Sequence, residues 1–315
     1  MKKHFKKLLL MALMAVMAVG LIACGTDKSD NESTKEEKTS VTITSLDASK
    51  NEIELEVPYN PKRIAILDLA SLDIIDELGV GDRVVGMAST SIDYLEKYSN
   101  DASIKNLGTI KEADLEAVME CEPDIIFIGG RLSKSYDALS EIAPVVYLAT
   151  DTNEGLVNSV SKNAKTIASI FGMEDKVDSL MSDFGARIDA IKKISSGKTA
   201  LVGMTTSGSF NLLGNDGRCS LIGVEAGFNN LTAAGSTSTH GNESSFETVV
   251  QQNPDYIFVM DRDSAISTAG AKTAKEIVEN ELVKIYLEHS NVWYTAEGGI
   301  QALDIMLTDL EKGLK

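Results

Sequence analysis

Two arginines occupy the same place in two similar stretches of this chain, which has few arginines overall. One stretch runs from Asp114 to Arg131 and the other from Ser245 to Arg262. Glu, Val, Pro, Asp, Ile, Phe and Arg recur in both at positions offset by 131 residues. A guanidinium keeps its charge and presents planar donors to anionic oxygens. The pair Arg131 and Arg262 therefore predicts a site for an anionic ligand.

Each stretch contains the elements that would position its arginine: a short helix, a Pro-Asp turn and a buried strand. Pro123 and Pro254 end the helices, because proline disfavours the α conformation in the preceding residue. The apolar runs Ile125–Ile128 and Tyr256–Met260 are typical of parallel strands covered on both faces. Ligands of open α/β sheets bind at the carboxyl ends of such strands, where both arginines fall. Two similar units predict two related lobes with the ligand held between them.

Length and composition restrict the class of protein. The 315 residues suffice for two domains, and 43% of them are apolar, which is enough for a substantial core. The formal net charge of −17 argues against nucleic-acid binding, which requires a basic surface. The sequence has no glycine-rich phosphate loop, Gly-x-Ser-x-Gly elbow, zinc-protease signature or Cys-x-x-Cys motif. We therefore expect a binding protein and not an enzyme.

The first residues resemble a bacterial lipoprotein signal. Lysines at positions 2, 3, 6 and 7 precede the apolar segment Leu8–Ile22, and Leu21-Ile22-Ala23-Cys24 resembles a lipobox. The lipobox implies a signal peptide over residues 1–23, lipid attachment to Cys24 and localisation on the extracytoplasmic face of the cell membrane. Residues 24–40 are polar and lack aromatic residues, which predicts a disordered tether behind the lipidated cysteine. The alternative is an uncleaved anchor with an incidental cysteine.

Strands and helices alternate along residues 41–172 and predict the N-terminal lobe. Val41–Ile43 and Ile53–Val57 show the alternation of an antiparallel hairpin. The βα alternation that follows predicts a parallel sheet. Residues 196–315 would form the C-terminal lobe, with a short strand at Val292–Tyr294 and a helix at the C-terminus.

Residues 153–195 lack proline and repeat apolar residues at helical spacing. Gly172 divides this segment into two helices. The second, Glu174–Ile194, would be on the order of 30 Å long at a rise of 1.5 Å per residue. We therefore expect residues 173–195 to form one rigid helix that connects the two lobes.

Several motifs occur in an order that resembles a known family. They are Pro61-Lys62-Arg63-Ile64, the two Glu-to-Pro-Asp stretches, the connecting helix, and Trp293-Tyr294-Thr295-Ala296 followed by Gly298-Gly299. The chain resembles the substrate-binding lipoproteins of ABC-type iron-siderophore and cobalamin uptake systems, which are similar to class III periplasmic binding proteins. The resemblance implies an α/β fold of two Rossmann-like lobes of parallel sheet and helices, joined by a single long rigid helix. It also implies a monomer without an intrinsic cofactor.

The same resemblance implies that the ligand is delivered to an ABC permease driven by a cytoplasmic ATPase. Family members dock on the permease through one glutamate in each lobe, and the matching residues are Glu116 and Glu247. The alternative is that these acids only complement the dipoles of their helices. That interaction would contribute a few tenths to about 1 kcal/mol each.

The resemblance further implies a ferric siderophore of catecholate type as the transported ligand. Catecholate binders of the family carry arginines in the cleft, and the matching residues are Arg131, Arg218 and Arg262. Three negative charges on a ferric tris-catecholate suit three guanidinium groups. Arg218 lies in Gly217-Arg218-Cys219-Ser220, where the family has Ser-Arg-Phe-Gly. The alternative is that each arginine lies on the surface or pairs with an acid such as Asp261 or Asp263.

His240 and Tyr294 match residues that complete the iron coordination in some of these proteins when the siderophore supplies four oxygens. The alternatives are a surface histidine and a core aromatic residue. Haem or cobalamin binding is an alternative function, since Tyr294 and Arg131 would also suit haem. Hydroxamate siderophores carry little negative charge. Zinc or manganese binding would need more histidines than His240 and His289 supply.

Overall fold

The computed structural model describes residues 38–207, 209–232, 238, 240–266 and 285–315. Lys38–Lys315 form one compact unit, built from a hairpin, two β-sheets and the helices packed on them. The predicted signal segment 1–23, Cys24 and most of the predicted tether lie outside the described residues. None of the described helices is both long and apolar enough to cross a lipid bilayer.

The N-terminal half contains the predicted hairpin and the predicted parallel sheet. The hairpin pairs β1 (Ser40–Leu46) with β2 (Glu52–Pro58) in antiparallel register. The sheet has five strands, all parallel: β3 (Ile64–Leu67), β4 (Val84–Met87), β5 (Lys105–Asn106), β6 (Ile125–Ile128) and β7 (Val145–Tyr147). Their order is β5-β4-β3-β6-β7. The sheet predicted from the βα alternation is therefore confirmed.

Both faces of this sheet are covered, as its continuous apolar strands predict. Ile64 and Ile66 pack into one hydrophobic cluster, and Ala65 and Leu67 pack into another. The helices of this half are α1 (Leu69–Glu77), α2 (Glu96–Ser99), α3 (Leu115–Glu120), α4 (Tyr136–Ser140) and α5 (Leu156–Phe171). As predicted, α5 ends at Gly172, which has φ of 67° in the left-handed region that glycine adopts without strain.

The prediction of one continuous helix over residues 173–195 is wrong. The segment forms two helices, α6 (Glu174–Leu180) and α7 (Phe184–Ser195), separated by a turn at residues 181–183. In this turn the hydroxyl of Ser182 donates to the backbone carbonyl of Ser179 at 2.8 Å. Serine side chains compete with the backbone for such carbonyls, which weakens a helix locally. The apolar spacing correctly predicted helical structure on both sides of the turn but predicted one helix, without the turn.

Within the described residues, the C-terminal half contains a six-stranded sheet that is mixed and not wholly parallel. Its strands are β8 (Thr199–Thr206), β9 (Ser209–Leu212), β10 (Asn229–Asn230), β11 (Asn242–Ser244), β12 (Tyr256–Met260) and β13 (Ile285–Tyr286). The order is β11-β9-β8-β12-β13, with β10 also paired to β8. β9 runs antiparallel to β8, and β11 antiparallel to β9, while the other pairs are parallel. The parallel core β8-β12-β13 is thus extended by an antiparallel edge.

Five helices belong to the C-terminal half in the part of the chain that the structure describes: α8 (Ser220–Gly223), α9 (Phe246–Gln252), α10 (Arg262–Ile266), α11 (Ser290–Thr295) and α12 (Ile300–Gly313). The predicted C-terminal helix is confirmed by α12. The predicted strand at Val292–Tyr294 is wrong, because these residues lie in α11. The carboxylate of Asp309, on α12, accepts hydrogen bonds from the His289 N–H at 3.1 Å and from the buried Trp293 indole at 2.9 Å. These bonds hold the segment in helical form.

The two repeated stretches have the same local structure. α3 leads into β6, and α9 leads into β12, as predicted. The residues before the prolines, Glu122 and Asn253, both have left-handed φ angles, of 43° and 44°. The aspartate of each Pro-Asp pair ties its strand to the neighbouring strand, since Asp124 accepts from the Arg63 N–H at 2.9 Å and Asp255 from the Thr199 N–H at 2.8 Å. The sequence repeat is therefore a structural repeat.

The C-terminal helix α12 is fixed to α1, the first helix among the described residues. The buried carboxylate of Asp73, on α1, accepts hydrogen bonds from the N–H groups of Gln301 and Ala302, both at 2.9 Å, and from the Tyr94 hydroxyl at 2.6 Å. A carboxylate at this position satisfies the free N–H groups of the first turn of α12. Gly299 leaves room for it, because a side chain there would collide with the Asp73 carboxylate. One hydrophobic cluster continues from the first sheet to the second.

Candidate functional site

Four of the five side chains selected from the sequence lie at the carboxyl ends of strands or in the loops beside them, and the fifth lies on a helix. Arg131 follows β6, and Arg262 follows β12 as the first residue of α10. Arg218 lies between β9 and α8, His240 lies just before β11, and Tyr294 lies on α11. The folded chain brings all five to one place, although they span both halves of the sequence.

Tyr294 is the common partner of the three arginines. Arg131 Nη2 donates to the backbone carbonyl of Tyr294 at 3.0 Å, and Arg218 Nη1 donates to the same carbonyl at 2.9 Å. Arg262 Nε donates to the Tyr294 hydroxyl at 3.2 Å. The three guanidinium carbons lie 5.3, 4.3 and 5.5 Å from the centre of the Tyr294 ring. These distances are short enough for cation–π contacts. Tyr294 is buried, with 2% of its surface exposed.

The position of Tyr294 near the end of α11 explains why its carbonyl can accept two guanidinium donors. The last four carbonyls of a helix lack partners within the helix, and the carboxyl end of the helix favours positive charge. α11 ends at Thr295, one residue beyond Tyr294. Had Val292–Tyr294 formed the predicted strand, this carbonyl would have been available for a neighbouring strand instead.

The convergence of three guanidinium groups places three positive charges around one tyrosine within an acidic protein. Burial, followed by the charge of Arg218, lowers the pKa of Arg131. For Tyr294, burial alone would raise the pKa, but the hydrogen bond from Arg262 and the three guanidinium charges together lower it. The Nε of Arg218 is buried and has no hydrogen-bond partner among the described residues. A buried donor without a partner is costly, so an anionic oxygen there would be stabilising.

Arg262 also contacts an acidic neighbour. Its Nη1 lies 3.5 Å from Oδ1 of Asp263. The alternative that an arginine of the cluster pairs with a nearby acid is therefore partly correct for Arg262. Asp261 has other partners: its carboxylate accepts from the hydroxyls of Thr205 at 2.9 Å and Tyr286 at 3.2 Å. Arg262 therefore divides its donors between Asp263 and Tyr294.

His240 lies at the hydroxyl end of Tyr294. Its Nε2 is 3.4 Å from the Tyr294 oxygen, and the residue is exposed. Burial and the nearby positive charges, Arg262 first among them, lower the pKa of His240. The imidazole is therefore neutral near pH 7, which is the form that binds metal ions. The structure thus brings the two predicted iron ligands side by side.

A cleft of about 440 Å³ adjoins the cluster and is lined by both halves of the chain. The lining includes Lys50, Asp68 and Arg131 from the N-terminal half, and Arg218, Tyr294 and Glu297 from the C-terminal half. This volume lies in the range of small-molecule sites. Arg262 and His240, which contact the Tyr294 hydroxyl, are not among the residues that line the cleft.

Two acidic residues of the cleft, Asp68 and Glu297, were not predicted from the sequence. Asp68 directly follows β3, and its carboxylate accepts from the Ser71 N–H at 2.9 Å to cap α1. Glu297 accepts from the Cys219 N–H at 2.9 Å. Burial raises the pKa of Glu297 to about 7, although the charge of Arg218 opposes this. The strand-end rule that selected Arg131 would also have selected Asp68, but Glu297 has no comparable signal.

The predicted docking residues lie away from the cleft wall, in the first turns of the two repeat helices. Glu116 is exposed on α3, and Glu247 is exposed on α9. One turn further along each helix, Met119 and Val250 are 55% and 50% exposed. These four residues occupy equivalent places in the two repeats. Each repeat therefore presents an acidic and an apolar side chain to the exterior.

A further group of potential metal ligands lies outside the cleft. Glu288, His289 and Asp309 are close enough to contact one ion. Asp309 is already bonded to the His289 ring at 2.7 Å, and Glu288 pairs with Lys312 at 3.0 Å. The group contains one histidine only, so it does not support zinc or manganese as the transported ligand.

Comparison with known proteins identifies relatives over almost the whole chain. Residues 64–284 match the model of a family described as periplasmic binding protein. The petrobactin-binding protein YclQ of Bacillus subtilis (strain 168) is 35% identical, over 98% of this chain and 99% of its own length. The ferric-anguibactin-binding protein FatB of Vibrio anguillarum is 25% identical, over 82% of this chain and 84% of its own.

Solved structures show the same fold. The crystal structure of YclQ superimposes with a TM-score of 0.79 at 35% identity, covering 88% of this chain and 99% of its own. The periplasmic catecholate-siderophore binding protein VctP of Vibrio cholerae superimposes with a TM-score of 0.77 at 28% identity, covering 86% of this chain and all of its own. The class III-like α/β fold expected from the sequence is therefore confirmed, apart from the continuous connecting helix.

Proposed function

The chain belongs to the periplasmic binding protein family, and on this premise we propose that it is the extracytoplasmic substrate-binding component of an ABC importer. In this proposal it captures a ferric siderophore of catecholate type between the two halves of the chain. The observation that carries the proposal is the convergence of Arg131, Arg218 and Arg262 on Tyr294. The names of relatives and solved structures, which include a ferric-anguibactin-binding protein, a probable siderophore-binding lipoprotein and a catecholate-siderophore binding protein, support the same ligand class.

The charge and donor pattern of the site suit a ferric tris-catecholate. Such a complex carries three negative charges, and the cluster carries three guanidinium charges. Each guanidinium has five N–H donors, and its hydrogen bond to Tyr294 uses one of them. The buried Nε of Arg218 offers a further donor. Arginine also suits planar anionic oxygens better than lysine does, because its donors are arranged in a rigid fork.

His240 and Tyr294 are proposed as iron ligands for siderophores that supply only four oxygens. The positive charges lower the pKa of Tyr294, which favours the phenolate that binds iron, and they keep His240 neutral. Their side chains are 3.4 Å apart, so one ion could contact both. Binding iron would replace the hydrogen bond between Arg262 and the Tyr294 hydroxyl and free that guanidinium for the ligand.

Ligand titration tests the proposal directly. The full chain, in mild detergent, would be titrated with a ferric tetradentate catecholate, a ferric hydroxamate and haem, following quenching of Trp293, the only tryptophan. Tight quenching by the catecholate is expected. A charge-transfer band that changes in His240→Ala or Tyr294→Phe would place these side chains on the iron. A response to haem and none to the catecholate would overturn the assigned ligand class.

The arginines provide a second test. Replacing Arg131 or Arg262 by Ala is expected to weaken catecholate binding about 10- to 100-fold, because each removes hydrogen bonds to a charged ligand. The matched control is Lys193→Ala, which removes one positive charge from the exposed surface of α7. Equal effects of the arginine and lysine substitutions would contradict the proposed role of the cluster.

Glu116 and Glu247 are proposed to dock the protein on the permease. Supporting features are their equivalent positions, their exposure and the exposed apolar residue beside each. Replacing both by Arg should abolish uptake of the ferric siderophore while leaving its binding unchanged. Glu174→Arg is the matched control, since Glu174 is also an exposed acid in the first turn of a helix. Loss of uptake in the control as well would contradict a specific docking role.

Cys24 is proposed to carry the lipid anchor. The support is the lipobox-like Leu21-Ile22-Ala23-Cys24, together with relatives named as lipoproteins. Replacing Cys24 by Ser should release the protein from the membrane fraction without changing ligand binding. Retention of the variant in the membrane would favour the alternative of an uncleaved anchor.

A further inference from the structure

A lysine from the N-terminal hairpin reaches the same cleft as the arginine cluster. Lys50 lies in the turn between β1 and β2, and it lines the cleft together with Arg131, Arg218 and Tyr294. It precedes residues 64–284, the part of the chain that matches the family model. Lys50 is exposed, and no carboxylate of the described residues is in ion-pairing distance of it.

The turn that carries Lys50 is held by a set of hydrogen bonds centred on Asp47. One carboxylate oxygen of Asp47 accepts from the N–H groups of Ser49 and Asn51, both at 2.8 Å. The Lys50 N–H donates to the Asp47 carbonyl at 2.9 Å. Lys50 itself has a left-handed φ of 67°, which is unfavourable for a residue with a side chain. These bonds hold Lys50 in a conformation that most L-residues avoid.

The hairpin is also fixed to the body of the protein. The buried hydroxyl of Ser45, on β1, accepts from the Tyr147 N–H at 3.0 Å and donates to the Tyr147 carbonyl at 3.3 Å. Tyr147 is the last residue of β7 and is itself buried. The base of the turn is therefore anchored to the edge of the first sheet, next to the cleft. The backbone that carries the Lys50 side chain is therefore held in a defined position beside the cleft.

We propose that Lys50 is a specificity-determining residue, whose ammonium contacts an anionic group on the outer part of the ligand. The inference rests on the proposed function, since it assigns a fourth positive group to the same cargo. The three guanidinium groups surround Tyr294, whereas Lys50 enters from the hairpin. The added positive charge favours ferric complexes with negative charge at their periphery over neutral complexes. The compact ammonium suits a single charged oxygen, in contrast to the bidentate contacts of arginine.

The test compares Kd values for a ferric tris-catecholate, measured with the full chain in detergent at low and at high ionic strength. Lys50→Ala is expected to raise Kd about 2- to 5-fold at low ionic strength, the range of exposed charge pairs. The effect should shrink near 1 M salt, which screens exposed charges. Lys50→Glu should raise Kd further, and the control Lys193→Ala should leave it unchanged. Arg131→Ala serves as the positive control for loss of binding.

A second variant separates a direct contact from a structural effect. Asp47→Ala removes the acceptor that holds the turn, so it should weaken binding in the wild-type background. It should have no further effect when combined with Lys50→Ala, because the two substitutions then remove the same contact. Suppose that Lys50→Ala has the same Kd as the control Lys193→Ala, while Arg131→Ala raises Kd. The proposed contact of Lys50 with the ligand is then wrong, and the proposed function stands. If the wild-type protein binds no ferric catecholate, both are wrong.

Discussion

Tyr294 contacts the arginine cluster through three parts: its backbone carbonyl, its ring and its hydroxyl. The backbone carbonyl holds Arg131 and Arg218, the ring lies beneath all three guanidinium groups, and the hydroxyl contacts Arg262 and His240. Two substitutions separate these parts. Tyr294→Phe removes the hydroxyl only, whereas Tyr294→Ala removes the hydroxyl and the ring. Both keep the carbonyl.

The expected magnitudes follow from the contacts that each substitution removes. Tyr294→Phe loses one hydrogen bond of 3.2 Å and a longer one of 3.4 Å, so the free energy of unfolding should fall by about 1 kcal/mol. Tyr294→Ala also deletes a buried aromatic ring, and such substitutions cost about 3–5 kcal/mol. The cation–π contacts of the ring add to this loss, since each contributes about 0.5–1 kcal/mol at an exposed site and about 2 kcal/mol when desolvated. The alanine variant should therefore lose several times more stability than the phenylalanine variant.

Urea unfolding at fixed pH, followed by far-UV circular dichroism, would measure both changes without relying on the neighbouring Trp293. Tyr286→Phe is a suitable control, because its hydroxyl also donates a 3.2 Å hydrogen bond, to Asp261, outside the cleft. It should cost about as much as Tyr294→Phe. Equal losses in Tyr294→Phe and Tyr294→Ala would show that the hydroxyl holds the cluster and would refute a stabilising role of the ring.

Two further predictions concern buried carboxylates. Burial raises the pKa of Glu297 from its ordinary 4.5 to about 7. Between these values the folded protein holds a proton that the unfolded chain has released, so the free energy of unfolding falls as pH rises, by up to about 3 kcal/mol. Glu297→Gln should abolish this share of the pH dependence in urea titrations from pH 4 to pH 8. Asp73→Ala leaves three donors, on Gln301, Ala302 and Tyr94, without their acceptor, and should cost about 3 kcal/mol or more.

The controls differ for the two carboxylates. Burial also raises the pKa of Asp73 to about 7, so Glu297→Gln must be compared with the wild type at each pH and should remove only part of the slope. An unchanged slope would contradict the raised pKa of Glu297. For Asp73, Asp304→Ala is the control, since Asp304 is an exposed acid on α12, the helix whose first turn Asp73 caps. A similar loss in both variants would contradict the capping role of Asp73.

The local elements were predictable from the sequence because neighbouring residues decide them. The repeated stretches gave the helix-turn-strand units α3–β6 and α9–β12, and the apolar runs identified the buried strands. The end of α5 at Gly172 followed from the conformational freedom of glycine. Where local signals conflicted, prediction failed. A short apolar run such as Val292–Tyr294 suits a strand or a helix equally, and the bonds from Asp309 in α12 decided for the helix.

The sequence by itself identified five side chains of the candidate site but not its acidic residues or Lys50. Arg131, Arg218, Arg262, His240 and Tyr294 were all selected by motif or resemblance before their positions were known. Only the tertiary structure decided how they meet. The bonds from the arginines to Tyr294 join residues 163, 76 and 32 positions apart. Two of them end on a backbone carbonyl, which no residue type can reveal. The same holds for Lys50 and Glu297, because contacts between distant segments depend on how sheets and helices pack and not on local sequence.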